Sequence, residues 1–250
     1  MILEIDAGNT RIKWRLVPDV GSGKVLASGF TATYQQGADQ AAALAAGLAG
    51  TAADIGRIRV GSVRTQEFNN RLAGMLRDRW QVEAEFAAVT KSQAGVANGY
   101  TNYRSMGVDR WLAMLAAFNR AGTACGILDF GSATTFDWID ARGSHRGGYI
   151  VPGLHLMLDS LVGKSPALDV TLQAGQEPVP GHSTSEAIGN GLVAVATGFA
   201  NHCHGLPGPD AGEIRWFLTG GDARQVAAHL AWPHEIIDDL VLDGLALALP

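Results

Sequence analysis

The chain has 250 residues, 47% of them hydrophobic and 17% charged, a balance that excludes intrinsic disorder. Glycine fills 32 positions, nearly twice the usual share of about 7%, without a collagen-type period, so the excess belongs to turns, caps and close backbone approaches. The 19 basic and 24 acidic residues leave a formal charge of −5 with no Lys/Arg run, which argues against a nucleic-acid partner.

Met1-Ile-Leu-Glu-Ile-Asp6 lacks the basic and long apolar regions of a signal peptide and reads as a first core strand. It ends in Gly8-Asn9-Thr10, after which residues 11–17 alternate polar and apolar like a half-buried strand. Alternation places Arg11, Lys13 and Arg15 on one face and Ile12, Trp14 and Leu16 on the other. A turn cluster at 18–23 leads to a third strand over 24–33, an Ala/Leu helix over 38–49 and a buried strand over 57–63. Residues 66–80 carry Phe68, Leu72, Met75, Leu76 and Trp80 at helical spacing. Asn98-Gly99-Tyr100 and Met106-Gly107-Val108-Asp109-Arg110-Trp111 then open another helical stripe.

The second half restates this plan. Cys125–Phe130 is a buried strand ending in Gly131-Ser132-Ala133, followed by strands over 134–140 and 145–151. Helices over 153–162 and 184–204, a strand over 214–219, and helices over 222–231 and 240–249 complete the pattern. No apolar stretch is long enough to span a membrane, and two cysteines, Cys125 and Cys203, read as buried free thiols of a soluble cytoplasmic protein.

Ile5-Asp6-Ala7-Gly8-Asn9-Thr10 and Leu128-Asp129-Phe130-Gly131-Ser132-Ala133-Thr134 share one pattern: apolar, Asp, any residue, Gly, small polar. Each ends a leading strand and opens a three-strand meander. Such a repeat predicts an α/β fold of two halves, residues 1–115 and 116–250, with a central cleft.

A strand-end Asp before glycine is ordinarily a turn former. Paired, the two turns present amides and hydroxyls as phosphate cradles. Their carboxylates would repel phosphate without a cation between them, which points to Mg²⁺. Lys13, three residues past Thr10, reads either as part of a solvated face or as a point charge for phosphates. Thr219-Gly220-Gly221-Asp222 reads either as a strand-to-helix loop or as a close approach for adenine and ribose. Asp109 sits at or beside a helix N-cap, where a carboxylate stays ionised. A carboxylate base suffices for phosphoryl transfer to an alcohol, and Arg110 offers a fork for a substrate carboxylate.

Two decoys are set aside. Gly163-Lys164-Ser165 imitates a P-loop end, but Leu158 stands where that motif needs glycine. His202-Cys203-His204 has no accompanying metal-ligand set and reads as a solvated or capping cluster.

Taken in order, Asp6-x-Gly8-Asn9-Thr10, Asn98-Gly99-Tyr100, Gly107-Val108-Asp109-Arg110-Trp111, Asp129-x-Gly131-Ser132-Ala133-x-Thr135, Gly147-Gly148-Tyr149-Ile150-x-Pro152-Gly153 and Thr219-Gly220-Gly221 resemble the type III pantothenate kinases along essentially the whole chain. The resemblance implies duplicated ribonuclease-H-like halves of the actin, Hsp70 and sugar-kinase superfamily. It implies ATP-dependent phosphorylation of pantothenate, the first step of coenzyme A biosynthesis, by a homodimer needing Mg²⁺ and a monovalent cation (K⁺ or NH₄⁺). By position it assigns Asp109 as base, and Tyr100, Gly107, Arg110 and Thr184 to the substrate, the last across the dimer. Asp6 falls to the Mg²⁺–phosphate site, and Gly8, Asn9, Thr10 and Lys13 to the phosphates. Asp129 falls to the monovalent cation, Gly131, Ser132 and Thr135 to the second phosphate loop, and Gly220 and Gly221 to ATP. Ser132 departs from the threonine usual there but keeps the hydroxyl. The same family includes transcriptional accessory factors, so a non-catalytic regulator is one alternative. A superfamily kinase for another small substrate is the other.

Overall fold

A computed structural model describes residues 1–19, 24–32, 44, 46–48, 54–163, 170–173, 175–208 and 212–250. Most of the helix expected over 38–49, and Lys164 and Ser165 of the P-loop decoy, lie outside the described residues. The chain forms two compact units. One comprises Met1–Ala94, Tyr100–Ala116 and Leu240–Pro250, the other Gly95–Gly99 and Ala117–Asp239.

The first unit is built on a five-stranded sheet, with strands β1 (Ile2–Ala7), β2 (Arg11–Val17), β3 (Ala27–Ala32), β4 (Arg57–Ser62) and β5 (Ala84–Phe86) in the order β3-β2-β1-β4-β5. The first three form an antiparallel meander, and β4 and β5 add in parallel. Helix α1 (Gln66–Trp80) matches its expected span. It starts where Thr65 accepts a hydrogen bond from the Phe68 N–H and stops where Gln81 turns left-handed. Its buried Leu72 and Leu76 pack on Leu3, Ile5, Ile58 and Val60. A separate cluster joins Val108 and Leu112, from the start of α2 (Val108–Ala121), to Leu242 and Leu245 of α6 (Leu240–Ala248).

The face carrying Arg11, Lys13 and Arg15 is not uniformly solvated, because Arg15 is 8% exposed. Its Nε donates to Glu4 at 2.7 Å and its Nη1 to Asp243 of α6 at 2.6 Å. Arg59 reaches the same Glu4 at 3.2 Å. Burying Glu4 without these guanidiniums would cost several kcal/mol, of the order of a lone buried ion's desolvation.

The second unit repeats the arrangement. Strands β6 (Cys125–Phe130), β7 (Ala133–Ile139), β8 (His145–Pro152), β9 (Arg215–Thr219) and β10 (Glu235–Ile236) run β8-β7-β6-β9-β10. Antiparallel and parallel pairings fall in the same places. Helices α3 (Leu154–Val162), α4 (Thr184–His204) and α5 (Ala223–Ala227) bury Leu154, Leu158, Leu192, Ala196 and Val226 against Leu128, Phe130 and Leu218. Helix α5 is shorter than the expected 222–231. Equal strand order, with a meander leading each half, is the duplicated ribonuclease-H-like fold. Both cysteines are free and buried, and burial pushes each thiol up to about 12.

Candidate active site

Asp6, the last residue but one of β1, lies directly opposite Lys13 on β2 and beside Gly61 on β4. The Gly8-Asn9-Thr10 turn follows at once. Its Gly8 and Asn9 carbonyls accept hydrogen bonds from Arg64 Nη1 at 3.3 and 3.0 Å. Arg64 was not among the expected residues, since a side chain that acts on backbone carbonyls 55 and 56 positions away leaves no motif.

The segment before and into α2 places the acid and the cation together. The Trp111 N–H bonds to the Gly107 carbonyl at 3.1 Å, starting the helix, and Asp109 lies half-buried in the first turn. There the helix dipole favours its ionised form. The Arg110 N–H donates to Asp109 Oδ1 at 2.8 Å. A side chain at Gly107 would press its Cβ to 2.5 Å from that oxygen, so glycine keeps the carboxylate's position open. Arg110 is 6% exposed, and its Nη1 donates to the Tyr100 hydroxyl at 2.6 Å. The guanidinium also lies over the Tyr100 ring, 5.5 Å from its centroid. Tyr100 therefore fixes the plane of a buried fork suited to a carboxylate.

In the second unit, sheet register assembles the neighbours of Asp129. Thr135 lies across from it on β7 and Thr219 beside it on β9. Gly220, at φ +95°, follows Thr219, and a Cβ there would come within 2.5 Å of Asp129 Oδ1. Gly131 approaches the same oxygen, at 3.2 Å from where its own Cβ would be. Asp129 thus faces a cradle that two side chains would otherwise fill. The Ser132 carbonyl accepts from the Gly153 N–H, at the N-terminus of α3, at 3.1 Å. Gly221 is exposed just beyond Gly220.

Thr184 is exposed in the first turn of α4. Ser183 caps that end, accepting from the Glu186 N–H at 3.2 Å, and Glu186 accepts from the N–H of His182, the residue before the cap, at 2.7 Å. The His202-Cys203-His204 run ends the same helix. Cys203 enters the core, His202 stacks on Tyr149, and His204 stacks on Trp232 with centroids 4.5 Å apart. Burial pushes the His204 imidazole below its ordinary pKa. Among the described residues no group of three or more His, Cys, Asp or Glu is placed to hold a metal ion.

A second unforeseen pair supports Asn98-Gly99. The Gly99 N–H donates to His145 Nδ1 at 3.4 Å, and His145 Nε2 lies 2.9 Å from Asp137 Oδ1, both side chains buried. An accepting Nδ1 puts the imidazole proton on Nε2, facing the carboxylate.

The sequence profile of the type III pantothenate kinase family matches residues 2–204. The chain belongs to the type III pantothenate kinase family. A type III pantothenate kinase of Ectopseudomonas mendocina is 38% identical over 256 aligned positions, covering 100% of this chain and 99% of that protein. Among solved structures, one from Sinorhizobium meliloti, provisionally named a 2-dehydro-3-deoxygalactonokinase, superposes with a TM-score of 0.59 at 12% identity. That likeness covers 99% of this chain and 95% of the other. A Campylobacter jejuni protein, provisionally named a Baf family transcriptional activator, gives a TM-score of 0.57 at 19% identity, over 98% and 95% of the two chains. These two likenesses establish the fold that this pantothenate kinase family member shares with them. No described helix is long and apolar enough to cross a membrane.

Proposed function

We propose that the protein transfers the γ-phosphoryl group of ATP to the primary hydroxyl of pantothenate, giving 4'-phosphopantothenate and ADP. The observation that carries this reading is the Gly107–Arg110 segment: a half-buried carboxylate adjoins a buried guanidinium held by Tyr100. One group suits a reacting alcohol and the other a carboxylate on the same molecule, and pantothenate has both.

In this reading Arg110 and Tyr100 hold the substrate carboxylate, and Asp109 orients the hydroxyl and takes its proton as the oxygen–phosphorus bond forms. The bond to the bridging oxygen breaks in line, and ADP leaves. A loose transition state asks for positioning more than for a strong base. Asp6, Gly8, Asn9, Thr10 and Lys13 serve the phosphates. Gly131, Ser132 and Thr135 serve them as well, and Gly220 and Gly221 serve the nucleoside. Asp6 suits Mg²⁺, which binds through one or two carboxylates plus substrate phosphates and neutralises their charge. The open cradle at Asp129 suits a monovalent cation. A homodimer in which Thr184 serves the partner's substrate site completes the proposal, and free buried thiols suit a reducing cytoplasm.

The test is a coupled assay of ADP release with purified protein, pantothenate, ATP and Mg²⁺, with and without K⁺. Pantothenate-dependent, K⁺-stimulated release is expected, and Asp109→Asn should lower kcat by about 10²–10⁴-fold, as loss of a general base does. No pantothenate-dependent ADP under any salt would overturn the reading in favour of a regulator.

A further inference from the structure

Arg64 follows β4, on the segment that leads into α1. Its Nη1 donates to the carbonyl oxygens of both Gly8 and Asn9. Across a trans peptide the C=O and the following N–H point in opposite directions. Fixing those two oxygens on the guanidinium therefore aims the N–H groups of Asn9 and Thr10 away from Arg64, to the other side of the turn. Successive amides with a common direction are what an anion-binding concavity needs.

Arg64 is itself anchored. Its N–H donates to Ser62 Oγ at 3.2 Å, and Ser62 Oγ donates to Asn69 Oδ1 at 2.6 Å. The guanidinium lies 4.8 Å from the Phe68 ring centroid. Phe68 and Asn69 belong to the first turns of α1, so the helix holds the arginine and the arginine holds the turn. The second unit gives an independent comparison. There the carbonyl of Ser132, which stands where Asn9 does in the repeat, is held by the Gly153 N–H.

We infer that Arg64 is a positioning residue for the first phosphate turn, acting through the Gly8 and Asn9 carbonyls to set affinity for the nucleotide's phosphates. The inference rests on the kinase reading of that turn. Its test compares Arg64→Ala and Arg64→Lys in the full chain, with folding checked by circular dichroism. Arg64→Ala should raise KM for ATP about tenfold, the scale of a lost charge-assisted hydrogen bond, while KM for pantothenate stays within about twofold. Arg64→Lys, which keeps a charged donor, should recover most of that loss. Titration with ADP and Mg²⁺, without pantothenate, should show the same loss and rescue. Should Arg64→Ala fail to fold, Arg64→Gln replaces it with the same expectation. Unchanged ATP KM and ADP affinity in a folded variant would overturn the inference, as would an equal rise for both substrates. A wild-type protein that binds ADP but never phosphorylates pantothenate would sink the kinase reading instead, and the ADP titration would still decide the role of Arg64.

Discussion

The turn after β1 is fastened by a side chain, Arg64, whereas the matching turn after β6 is fastened by backbone, the Gly153 N–H. The contrast extends into the strands. β1 and β6 share one burial pattern, yet Glu4 stands at the position that Ile127 fills in the second unit. Across the ladder, Glu4 faces Arg15 and Ile127 faces Asp137, so equivalent sites on β2 and β7 bury opposite charges. Arg15 is neutralised by Glu4 and Asp243, whereas Asp137 is satisfied by a hydrogen bond with His145. What the halves do share is an edge clasp. Arg57 on β4 binds Glu85 on β5, and Arg215 on β9 binds Glu235 on β10, at corresponding steps of the register. The duplicated geometry has been kept while the means of satisfying buried polar groups have diverged.

The largest expected effect lies in that divergence. Glu4→Gln takes the hydrogen-bonded carboxylate from buried Arg59, leaves Arg15 with Asp243 alone, and should cost about 3–5 kcal/mol. Asp137→Asn leaves an amide oxygen that still accepts from His145, and should cost about 1–2 kcal/mol. Denaturant unfolding of both variants measures the gap, and equal losses would show that buried charge is not what separates the halves. Next comes Gly153→Ala, whose Cβ would collide with the Gly131 carbonyl and the Ser132 backbone. A forced backbone shift there should cost about 1–3 kcal/mol and raise KM for ATP. A melting temperature and ATP KM both like wild type would mean the second turn yields more easily than its packing implies.

The edge clasps should give the smallest and most alike effects. Hydrogen bonding from Arg57 holds the Glu85 carboxyl below its usual range, and Arg215 does the same for Glu235. A depressed folded-state pKa stabilises the protein above the ordinary carboxylate value, about 4.3 for Glu, and that contribution is lost as pH falls through the folded value. Glu85→Gln and Glu235→Gln should each lower Tm slightly at neutral pH. The difference from wild type should close at pH values below both pKa values. Thermal melts between neutral and strongly acid pH would reveal any asymmetry between them.

Much of the fold was legible because the repeat is written where backbone chemistry is least forgiving, in Asp-x-Gly at two strand ends. Helices such as 66–80 and 184–204 carried their own caps and spacing. The edge clasps were not legible, since strands of three and two residues show no period. The burial of Arg15 was not legible, because alternation says which face a residue takes but not what later covers that face, and its partner Asp243 lies 228 positions away. At the candidate site, pattern alone could bring Gly107, Asp109 and Arg110 together, being neighbours in one turn. It could not foresee Arg64 or His145, whose contacts are with main-chain groups distant in sequence.

The association of α6 with β1 and β2 bears on how the chain acquires its shape during synthesis. Asp243 binds Arg15, and Gly244 lies so close to Leu112 that a Cβ there would collide with its backbone. Domains generally fold in the order in which they emerge. Here β1 and β2 are made before the second unit, yet residues 240–250 of the same unit are made after it. The unit whose strands emerge ahead of the second unit is therefore the later of the two to close. Until then Arg15 has Glu4 but not Asp243, the second of its two carboxylates.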